Sequence, residues 1–274
     1  MNKVCQVCMH HCSLRPGQTG ICGARRNENG TVICGNYGLV TSMALDPIEK
    51  KPLKMFRPGS RILSVGSYGC NLRCPFCHNA LLVTRLAETP EIPVQEVLDF
   101  LASRKGLLDG VVLTGGEPLL QPDAAEFLQA VRELGFAVKL DTNGCHPAAL
   151  AGILEAGLAD YVAMDVKNSR ARYAETVGVP GFDLSPVEES VRLLRESGVD
   201  CEFRTTLVRE LHRPEDLDDI AVWLEGAPKY FLQNFVDSGN LIGRGYHGFS
   251  PEELRAFADR VRPHFGCVAL RGVE

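Results

Sequence analysis

Residues 61–79 read RILSVGSYGCNLRCPFCHN, and this stretch decides how the rest of the chain is interpreted. Its first seven residues form a short apolar run, as in a buried strand. A loop follows at once, in which Cys70, Cys74 and Cys77 are separated by three and then two residues. Zinc sites and iron–sulfur clusters usually take four protein ligands. This loop supplies three, so the fourth ligand either comes from elsewhere or is left open for chemistry.

A zinc site, with His78 as the fourth ligand, is the less favoured interpretation of this loop. Zinc knuckles are normally built from pairs of cysteines, and here an aromatic residue precedes the last cysteine. Three thiolates could instead hold three corners of a cubane iron–sulfur cluster, whose fourth iron would need an outside ligand. Because a metal centre with one open position is typically reactive, the loop predicts a catalytic centre.

Downstream of the loop, apolar strand patterns such as DGVVLTGG alternate with helical patterns such as DAAEFLQAVRELG. We count five to seven such repeats, and CVALRG is a candidate final strand. This alternation predicts parallel strands joined by crossover helices. The predicted fold class is α/β, either a sheet or a barrel short of the eight units of a closed (β/α)8 barrel.

Two helix boundaries are also predicted from local signals. Ser185, followed by proline, predicts the amino-terminal cap of the helix SPVEESVRLLRESG. Lys105 and Gly106 predict the carboxyl-terminal cap of the helix PVQEVLDFLASRKG.

Polar residues recur at the end of successive predicted strands. TGGEP (114–118) follows the second strand, DTNG (141–144) the third and MDVKNS (164–169) the fourth, while Arg204 and Gln233 fall on the fifth and sixth. Parallel α/β folds place their sites at the carboxyl ends of the strands. We therefore expect these groups to meet at one edge.

CNLRCPFC resembles the cluster motif of the radical S-adenosylmethionine (SAM) superfamily, and TGGEP is similar to its Gly-Gly-Glu motif. The resemblance implies a partial (β/α)6 TIM-like barrel over about residues 61–270. It also implies a [4Fe-4S] cluster on Cys70, Cys74 and Cys77, with SAM on the fourth iron. Reductive cleavage of SAM would then give methionine and a 5′-deoxyadenosyl radical.

The same resemblance implies which residues contact the cofactors. Asp141 and Asp165, with Thr142 as a further candidate, match a monovalent-cation site of pyruvate formate-lyase activating enzyme, and hard oxygen ligands suit such a cation. Lys167 would reach the carboxylate or ribose of SAM. The implied cofactor-binding residues are Phe76, His78, Asn79, Thr114, Gly115, Gly116, Glu117, Asp141, Asn143, Asp165, Lys167 and Arg204.

CHN, LDTNG and MDVK look like glycyl-radical-enzyme activases, and FRTTLV, YFLQNF and LRG resemble anaerobic ribonucleotide reductase activating proteins. The implied target is a backbone glycine of a partner enzyme, whose Cα–H has no side chain to block it. Flavodoxin or ferredoxin would supply the electron. The alternatives are radical modification of a small molecule or another protein and, remotely, a structural zinc-binding interaction module. An open mouth would favour a macromolecule, and a sealed one a small substrate.

The chain begins with a second group of closely spaced thiols, Cys5, Cys8, Cys12 and Cys22. Their spacing predicts a metal, and His10 or His11 could replace one thiol. Zinc would make the segment a structural knuckle that is stable only with metal. A second iron–sulfur cluster would make it an electron relay. The sequence does not distinguish these two.

Residues 1–60 are predicted to be a Cys-rich metal-binding extension, and residues 61–274 the radical SAM barrel. NENGTVICGNYG predicts a small hairpin with an Asn-Gly turn, and DPIEKKPLKMFRPGS a connector. The extension resembles the start of AmmeMemoRadiSam radical SAM proteins, although those usually carry CQN where this chain has CHN.

Composition excludes several classes of function. The 274 residues carry a formal net charge of −5 and show no long run of Lys and Arg, which argues against a nucleic-acid partner. No stretch matches a secretory signal or a membrane span, so we expect a cytoplasmic protein. Because the cytosol keeps thiols reduced, the eleven cysteines are not expected to form mainly disulfides. Their clustering predicts metal ligation, whereas the scattered Cys145, Cys201 and Cys267 are expected to be structural thiols.

Overall fold

The computed structural model describes residues 1–47, 61–84 and 90–273. Its strands, in chain order, are β1 (Lys3–Val4), β2 (Ser13–Leu14), β3 (Arg25–Glu28), β4 (Thr31–Cys34), β5 (Leu39–Val40), β6 (Ser42–Pro47), β7 (Arg61–Ser67), β8 (Ile92–Pro93), β9 (Gly110–Gly115), β10 (Ala137–Thr142), β11 (Tyr161–Asp165), β12 (Asp200–Leu207), β13 (Lys229–Asn234) and β14 (Cys267–Arg271). Its helices are α1 (Ala80–Thr84), α2 (Val94–Ala102), α3 (Ala124–Glu133), α4 (Pro147–Glu155), α5 (Tyr173–Thr176), α6 (Ser185–Glu196), α7 (Pro214–Trp223) and α8 (Pro251–Val261).

An eight-stranded sheet organises the described residues, in the order β14-β13-β12-β11-β10-β9-β7-β6. The strands from β7 to β14 in this sheet are parallel, and β6 pairs antiparallel with β7 at the edge. Helices in the connections cover one face of the sheet. The predicted α/β class with a partial TIM-like barrel is confirmed, and CVALRG does form the final strand.

Alternate residues of the strands face two different environments, as the period of a strand requires. One face packs against the helices and forms the large core, in which Leu63 and Val65 of β7 lie with Leu101 of α2 and Phe127 of α3. The other face, inside the curved sheet, carries a smaller apolar cluster, Ile62, Val112, Ala137, Tyr161 and Ala163.

Toward the carboxyl ends, this inner face changes from apolar to charged. Ala137 of β10 is followed on the same face by Lys139 and Asp141, and Ala163 of β11 by Asp165. The neighbouring strand β12 is in register, because Asp165 lies opposite its Arg204. The polar site is therefore built on rigid strands above an apolar floor.

A buried ion pair ties the last strand to the middle of the sheet. Arg271 donates two hydrogen bonds to the carboxylate of Glu202, at 2.9 and 3.0 Å, and stacks on the ring of Phe231 at 3.7 Å. The Tyr161 hydroxyl donates a third bond to this carboxylate at 2.7 Å. The side chain of Glu202 is fully buried, so its charge depends on these partners.

Two boundary predictions were wrong. Ser185 is the first residue of α6 rather than its cap, and both its hydroxyl and its N–H donate to the carboxylate of Asp183. Helix α2 ends at Ala102, and Gly106 lies in the turn beyond it with a positive φ of 78°. In both cases a capping or turn residue does lie near the end of the helix, but not at the position that was predicted.

In the amino-terminal segment, the predicted hairpin is confirmed as β3 and β4. The turn residues Asn29 and Gly30 have φ of 51° and 88°, as a two-residue hairpin turn requires. Residues 48–60 of the predicted connector, including most of DPIEKKPL and all of RPGS, lie outside the described residues. The boundary at residue 60 stays a prediction. In the described part of the chain, no helix has the length and apolar character of a membrane span.

Replacing Arg271 with Met should strongly destabilise the fold. The change leaves the Glu202 carboxylate buried without its charged partner, and breaking such a pair costs about 3–5 kcal/mol. Equilibrium unfolding in urea measures this loss.

The matched control is Arg260→Met, which removes an arginine paired with Asp218 on the surface, where the two side chains are 44% and 51% exposed. An exposed pair contributes about 0–1 kcal/mol. Equal losses in both variants would show that the Glu202 network is not a stability determinant.

Candidate active site

The carboxyl ends of the parallel strands surround a cavity of about 260 Å³. The structure brings all fifteen residues predicted for the catalytic cluster and cofactors to its wall. They come from the cluster loop and from the ends of strands β9 to β12, and are Cys70, Cys74, Phe76, Cys77, His78, Asn79, Thr114, Gly115, Gly116, Glu117, Asp141, Asn143, Asp165, Lys167 and Arg204. The expectation that these groups meet at one edge is confirmed, while their individual roles stay predictions.

Five further residues line the cavity: Leu72, Val83, Thr142, Thr206 and Gln233. Leu72, between Cys70 and Cys74, and Val83, after Cys77, are buried apolar side chains. Thr206 and Gln233 lie opposite each other on β12 and β13. Gln233 and Thr142 were already named from the sequence, whereas Thr206 was missed. The usable signal for Thr206 was its place two residues after Arg204, on the same face of β12.

The three thiols of the loop sit in a desolvated setting with hydrogen-bond donors directed at sulfur. Burial raises the pKa of Cys74 to about 12 and also raises that of Cys70. The Leu72 N–H and the Asn143 amide donate to the sulfur of Cys70 at 3.4 and 3.8 Å. Because a metal displaces the thiol protons and N–H donors to sulfur tune cluster potentials, these residues fit an iron–sulfur cluster.

Single-ion sites have no ready-made ligand set here. In residues 1–47, 61–84 and 90–273, no three Cys, His, Asp or Glu side chains lie close enough to share one ion. The thiolates of a cubane cluster bind different irons, so their sulfur atoms lie farther apart than the ligands of a single ion. The zinc alternative with His78 gains no support, because the His78 ring packs against Phe235 at 5.4 Å between ring centres.

A glycine turn after β9 is pressed against the cluster loop. The Glu117 N–H donates to the Gly69 carbonyl at 2.8 Å, and the Asn79 amide donates to the Gly115 carbonyl at 2.9 Å. A Cβ on Gly116 would lie 2.0 Å from the Gly69 oxygen. The Gly-Gly pair is therefore required by the closeness of the two backbones.

Glu117 is a buried carboxyl held by the chain after β10. It accepts hydrogen bonds from the Thr142 hydroxyl at 2.8 Å and from the Asn143 and Leu119 N–H groups at 2.7 and 3.1 Å. Burial outweighs these bonds and raises the pKa of Glu117 to about 7. A ligand ammonium at this wall would be attracted to the carboxylate and would favour its charged form.

A chain of ion pairs joins the carboxyl ends of β10, β11 and β12. The Lys139 ammonium donates to Asp141, Arg204 bridges Asp141 at 3.5 Å and Asp165, and Lys167 donates to Asp165 at 2.9 Å. Burial alone would raise the pKa of both carboxyls, but these cations outweigh it and hold both below the usual value. Of these cations, Lys167 and Arg204 line the cavity, together with both carboxylates.

This pairing bears on the predicted monovalent-cation site. Asp141 and Asp165 each already contact two protein cations, so the geometry lends the cation no support and the site stays a prediction. Lys139, which is fully buried, was missed. The sequence did contain a signal for it: a lysine within an apolar strand, two residues before Asp141, must lie on the same face as that aspartate.

The amino-terminal thiols do not line this cavity. Burial raises the pKa of Cys8 to about 11, and the nearby thiols of Cys22, Cys12 and Cys5 raise it further. These thiols influence one another, but among the described residues no three of them are arranged to hold one ion. The metal site predicted for this segment stays a prediction.

A family model described as the Radical SAM superfamily matches residues 64–224, more than half of the chain. The chain belongs to the radical SAM superfamily. The cavity lined by the three motif cysteines is the candidate active site, and the family implies SAM and a [4Fe-4S] cluster as cofactors.

Two relatives from Methanocaldococcus jannaschii are similar over long stretches. MJ1227, a candidate glycyl-radical enzyme activating enzyme, is 37% identical over 175 residues, which are 61% of this chain and 70% of the relative. The uncharacterized protein MJ0808 is 31% identical over 227 residues, covering 80% of this chain and 64% of the relative. The expected resemblance to glycyl-radical-enzyme activases is confirmed.

Solved structures confirm the fold at low identity. Streptococcus suis SuiB matches with a TM-score of 0.61 at 17% identity, over 77% of this chain and 49% of SuiB. A domain of pyruvate-formate lyase-activating enzyme from Bacteroides vulgatus matches with a TM-score of 0.50 at 16% identity, over 60% of this chain and 99% of the domain. The chain thus spans about half the length of SuiB.

Replacing Gly116 with Ala should abolish SAM binding. The added Cβ would collide with the Gly69 backbone and force the cluster loop away from the turn. Calorimetric titration of the anaerobically reconstituted protein with SAM measures the loss.

Gly152→Ala is the matched control, because this glycine lies within α4 and an added Cβ would meet open space. It should bind SAM normally and gain about 0.5–1 kcal/mol of stability. Normal SAM binding by the Gly116 variant would contradict the close-contact argument.

Proposed function

We propose that this radical SAM enzyme installs a glycyl radical on a partner enzyme. The size of the cavity carries the proposal. At about 260 Å³, it lies just below the range of about 300–1,000 Å³ of small-molecule sites. The cluster and SAM would share this space, so the hydrogen donor would approach at the mouth rather than bind beside SAM.

The surroundings of the mouth support a large substrate. The segment between β13 and α8 lies against the outside of the cluster loop, where the Gly243 N–H donates to the Pro75 carbonyl at 2.7 Å. Among the described residues, none from 236–248 lines the cavity. A protein loop bearing a glycine could therefore reach the strand ends without displacing this segment.

The residues of the chain would bind and orient SAM. When bound, a [4Fe-4S] cluster on Cys70, Cys74 and Cys77 supplies the electron that cleaves SAM to methionine and a 5′-deoxyadenosyl radical. Glu117 would attract the methionine ammonium, while Lys167 and Arg204 would attract its carboxylate. The two groups lie on different strands and loops of the site, so together they would fix the direction in which SAM points.

Apolar side chains would protect the radical. Leu72, Phe76 and Val83 are buried and line the cavity beside the thiols. They would exclude water from the place where the radical forms. A glycine Cα–H, which has no side chain, is the backbone position that such a recessed radical could reach most easily.

The similarity to MJ1227, at 37% identity, supports an activase. A second candidate is radical modification of a peptide, supported by 36% identity over 122 residues to the PqqA peptide cyclase of Methylorubrum populi, which covers 43% of this chain. Both reactions bring a polypeptide to the mouth. The proposed electron donor is flavodoxin or ferredoxin.

The experiment mixes anaerobically reconstituted protein, SAM and a reductant with a candidate glycyl radical enzyme. We expect a glycyl-radical EPR signal on the partner, one 5′-deoxyadenosine per radical, and neither from the Cys70/Cys74/Cys77→Ala variant. Cys267→Ala, a half-buried thiol on β14, is the matched control and should keep both products.

The outcomes separate the two candidates. Formation of 5′-deoxyadenosine with a modified peptide and no partner radical would favour peptide modification. Absence of 5′-deoxyadenosine from wild type under reducing conditions would contradict radical SAM activity altogether.

Lys167→Met should weaken SAM binding by about 1.5–3 kcal/mol, the contribution of a charge-assisted hydrogen bond. It removes the positive charge proposed to attract the SAM carboxylate. Lys229→Met is the matched control, since Lys229 is also paired with an aspartate, Asp200, but at the amino end of its strand. Equal affinity in the two variants would show that Lys167 does not contact SAM.

A further inference from the structure

The amino-terminal segment packs against the cluster loop from outside the cavity. The Cys70 N–H donates to the Cys22 carbonyl at 3.2 Å, and a Cβ on the neighbouring Gly69 would lie 2.9 Å from the same carbonyl oxygen. The segment is therefore close enough to act on the hydrogen bonds of the loop, although none of its residues lines the cavity.

The peptide group between Asn71 and Leu72 is hydrogen-bonded at both ends. The His10 Nε2 lies 2.6 Å from the Asn71 carbonyl oxygen. Because a carbonyl only accepts, the imidazole donates its N–H there. At the other end of the same peptide group, the Leu72 N–H donates to the sulfur of Cys70 at 3.4 Å. His10 thus lies behind this donor and polarises it, as successive hydrogen bonds in a chain do.

The side-chain amide of Asn143 is a second donor to the same sulfur. Its NH2 group donates to Cys70 at 3.8 Å and to the Asn71 Oδ1 at 2.9 Å. Its oxygen accepts the Cys145 N–H at 2.9 Å. Because the oxygen has an N–H partner and one amide hydrogen is given to Asn71, the other hydrogen is directed at the sulfur.

Both donors therefore depend on Asn71. This residue is fully buried, and Asn143 is only 5% exposed, so water cannot replace their hydrogen bonds. The Asn71 amide nitrogen donates to the sulfur of Met9 at 3.8 Å, which leaves its oxygen for Asn143. The backbone of Asn71 carries the Leu72 donor, and His10 of the amino-terminal segment fixes that backbone.

Hydrogen bonds to a cysteine sulfur affect how readily an iron–sulfur cluster accepts an electron. Reduction adds one negative charge to the cluster and its thiolates. An N–H group directed at sulfur stabilises this charge, and it does so most strongly where water is excluded. Two such groups on the Cys70 sulfur would therefore favour the reduced cluster.

We propose that His10 and Asn71 are positioning residues that raise the reduction potential of the cluster on Cys70, Cys74 and Cys77. They act by holding the Leu72 N–H and the Asn143 amide on the Cys70 sulfur. The amino-terminal segment thereby sets how easily the catalytic cluster is reduced, whatever its own thiols bind. This inference needs the cluster that the family implies, but it does not depend on the target of the radical.

A redox titration followed by EPR tests the role of His10 in the whole, anaerobically reconstituted protein without SAM. The signal to follow is the one that the Cys70/Cys74/Cys77→Ala variant lacks. His10→Phe keeps a planar ring without an N–H, and at a fixed potential it should hold about three- to tenfold less reduced cluster, the effect of one hydrogen bond. His10→Gln keeps a donor and should match wild type.

His11→Asn is the matched control, because His11 is the next residue and its side chain is exposed. Asparagine also tolerates the positive φ of 40° at this position. The control should keep the wild-type potential.

Asn71→Ala tests the second donor, since it removes the oxygen that orients the Asn143 amide. It should lower the potential in the same direction as His10→Phe. Resonance Raman spectra supply an independent measurement: loss of an N–H donor strengthens the iron–thiolate bond, so its stretching frequency should rise in both variants. A purely structural role would change the iron content without moving the frequency or the potential.

The outcomes separate this proposal from the proposed function. A wild-type potential in His10→Phe with full iron content would overturn the proposal, and so would equal decreases in His10→Phe and His10→Gln. If His10→Phe loses its iron, full iron and a wild-type potential in His10→Gln support the proposal, while loss of either overturns it. The expected shifts without a glycyl radical on any partner would contradict only the proposed function.

Discussion

The position of Gly69 is the constraint on which the rest of the structure depends. This residue has a φ of 90°, a conformation open mainly to glycine, and backbone presses on it from two sides. Gly116 occupies one side, and the carbonyl of Cys22 with Ala24 occupies the other. The barrel, the cluster loop and the amino-terminal segment therefore meet at one residue without a side chain. Any shift there would move the thiol of the adjacent Cys70 relative to both neighbours.

The inner face of the barrel carries paired charged side chains at the carboxyl ends of its strands, where a small protein would have apolar packing. Buried charges are costly unless each is paired, and the pairs from Lys139 to Lys167 satisfy this rule before any ligand is present. The wall is therefore already organised by pairs within the chain. Preorganised charge of this kind does not have to rearrange when the reaction begins. The apolar floor below keeps the wall in place.

The sequence predicted the strands, the helices and the meeting of the motifs because these depend on local periodicity and on one rule about parallel sheets. It did not predict which side chains pair with one another. That Lys139 faces Asp141 follows from spacing alone, but the bridge from Arg204 to both aspartates depends on the register between β12 and β11. The contact of Cys22 with Cys70 joins residues far apart in sequence and has no local signature. The prediction for Ser185 failed for a local reason. The carboxylate of Asp183, two residues earlier, accepts the hydrogen bond of the Ser185 hydroxyl, so Ser185 does not act as the helix cap.

The ion pair between Glu202 and Arg271 joins residues 69 positions apart, and this has a consequence for how the sheet assembles. The strand β13 lies between β12 and β14 in the sheet, so this pair can close only when all three strands have taken their places. Formation of the pair therefore reports that this end of the sheet has assembled, rather than stabilising any single strand on its own.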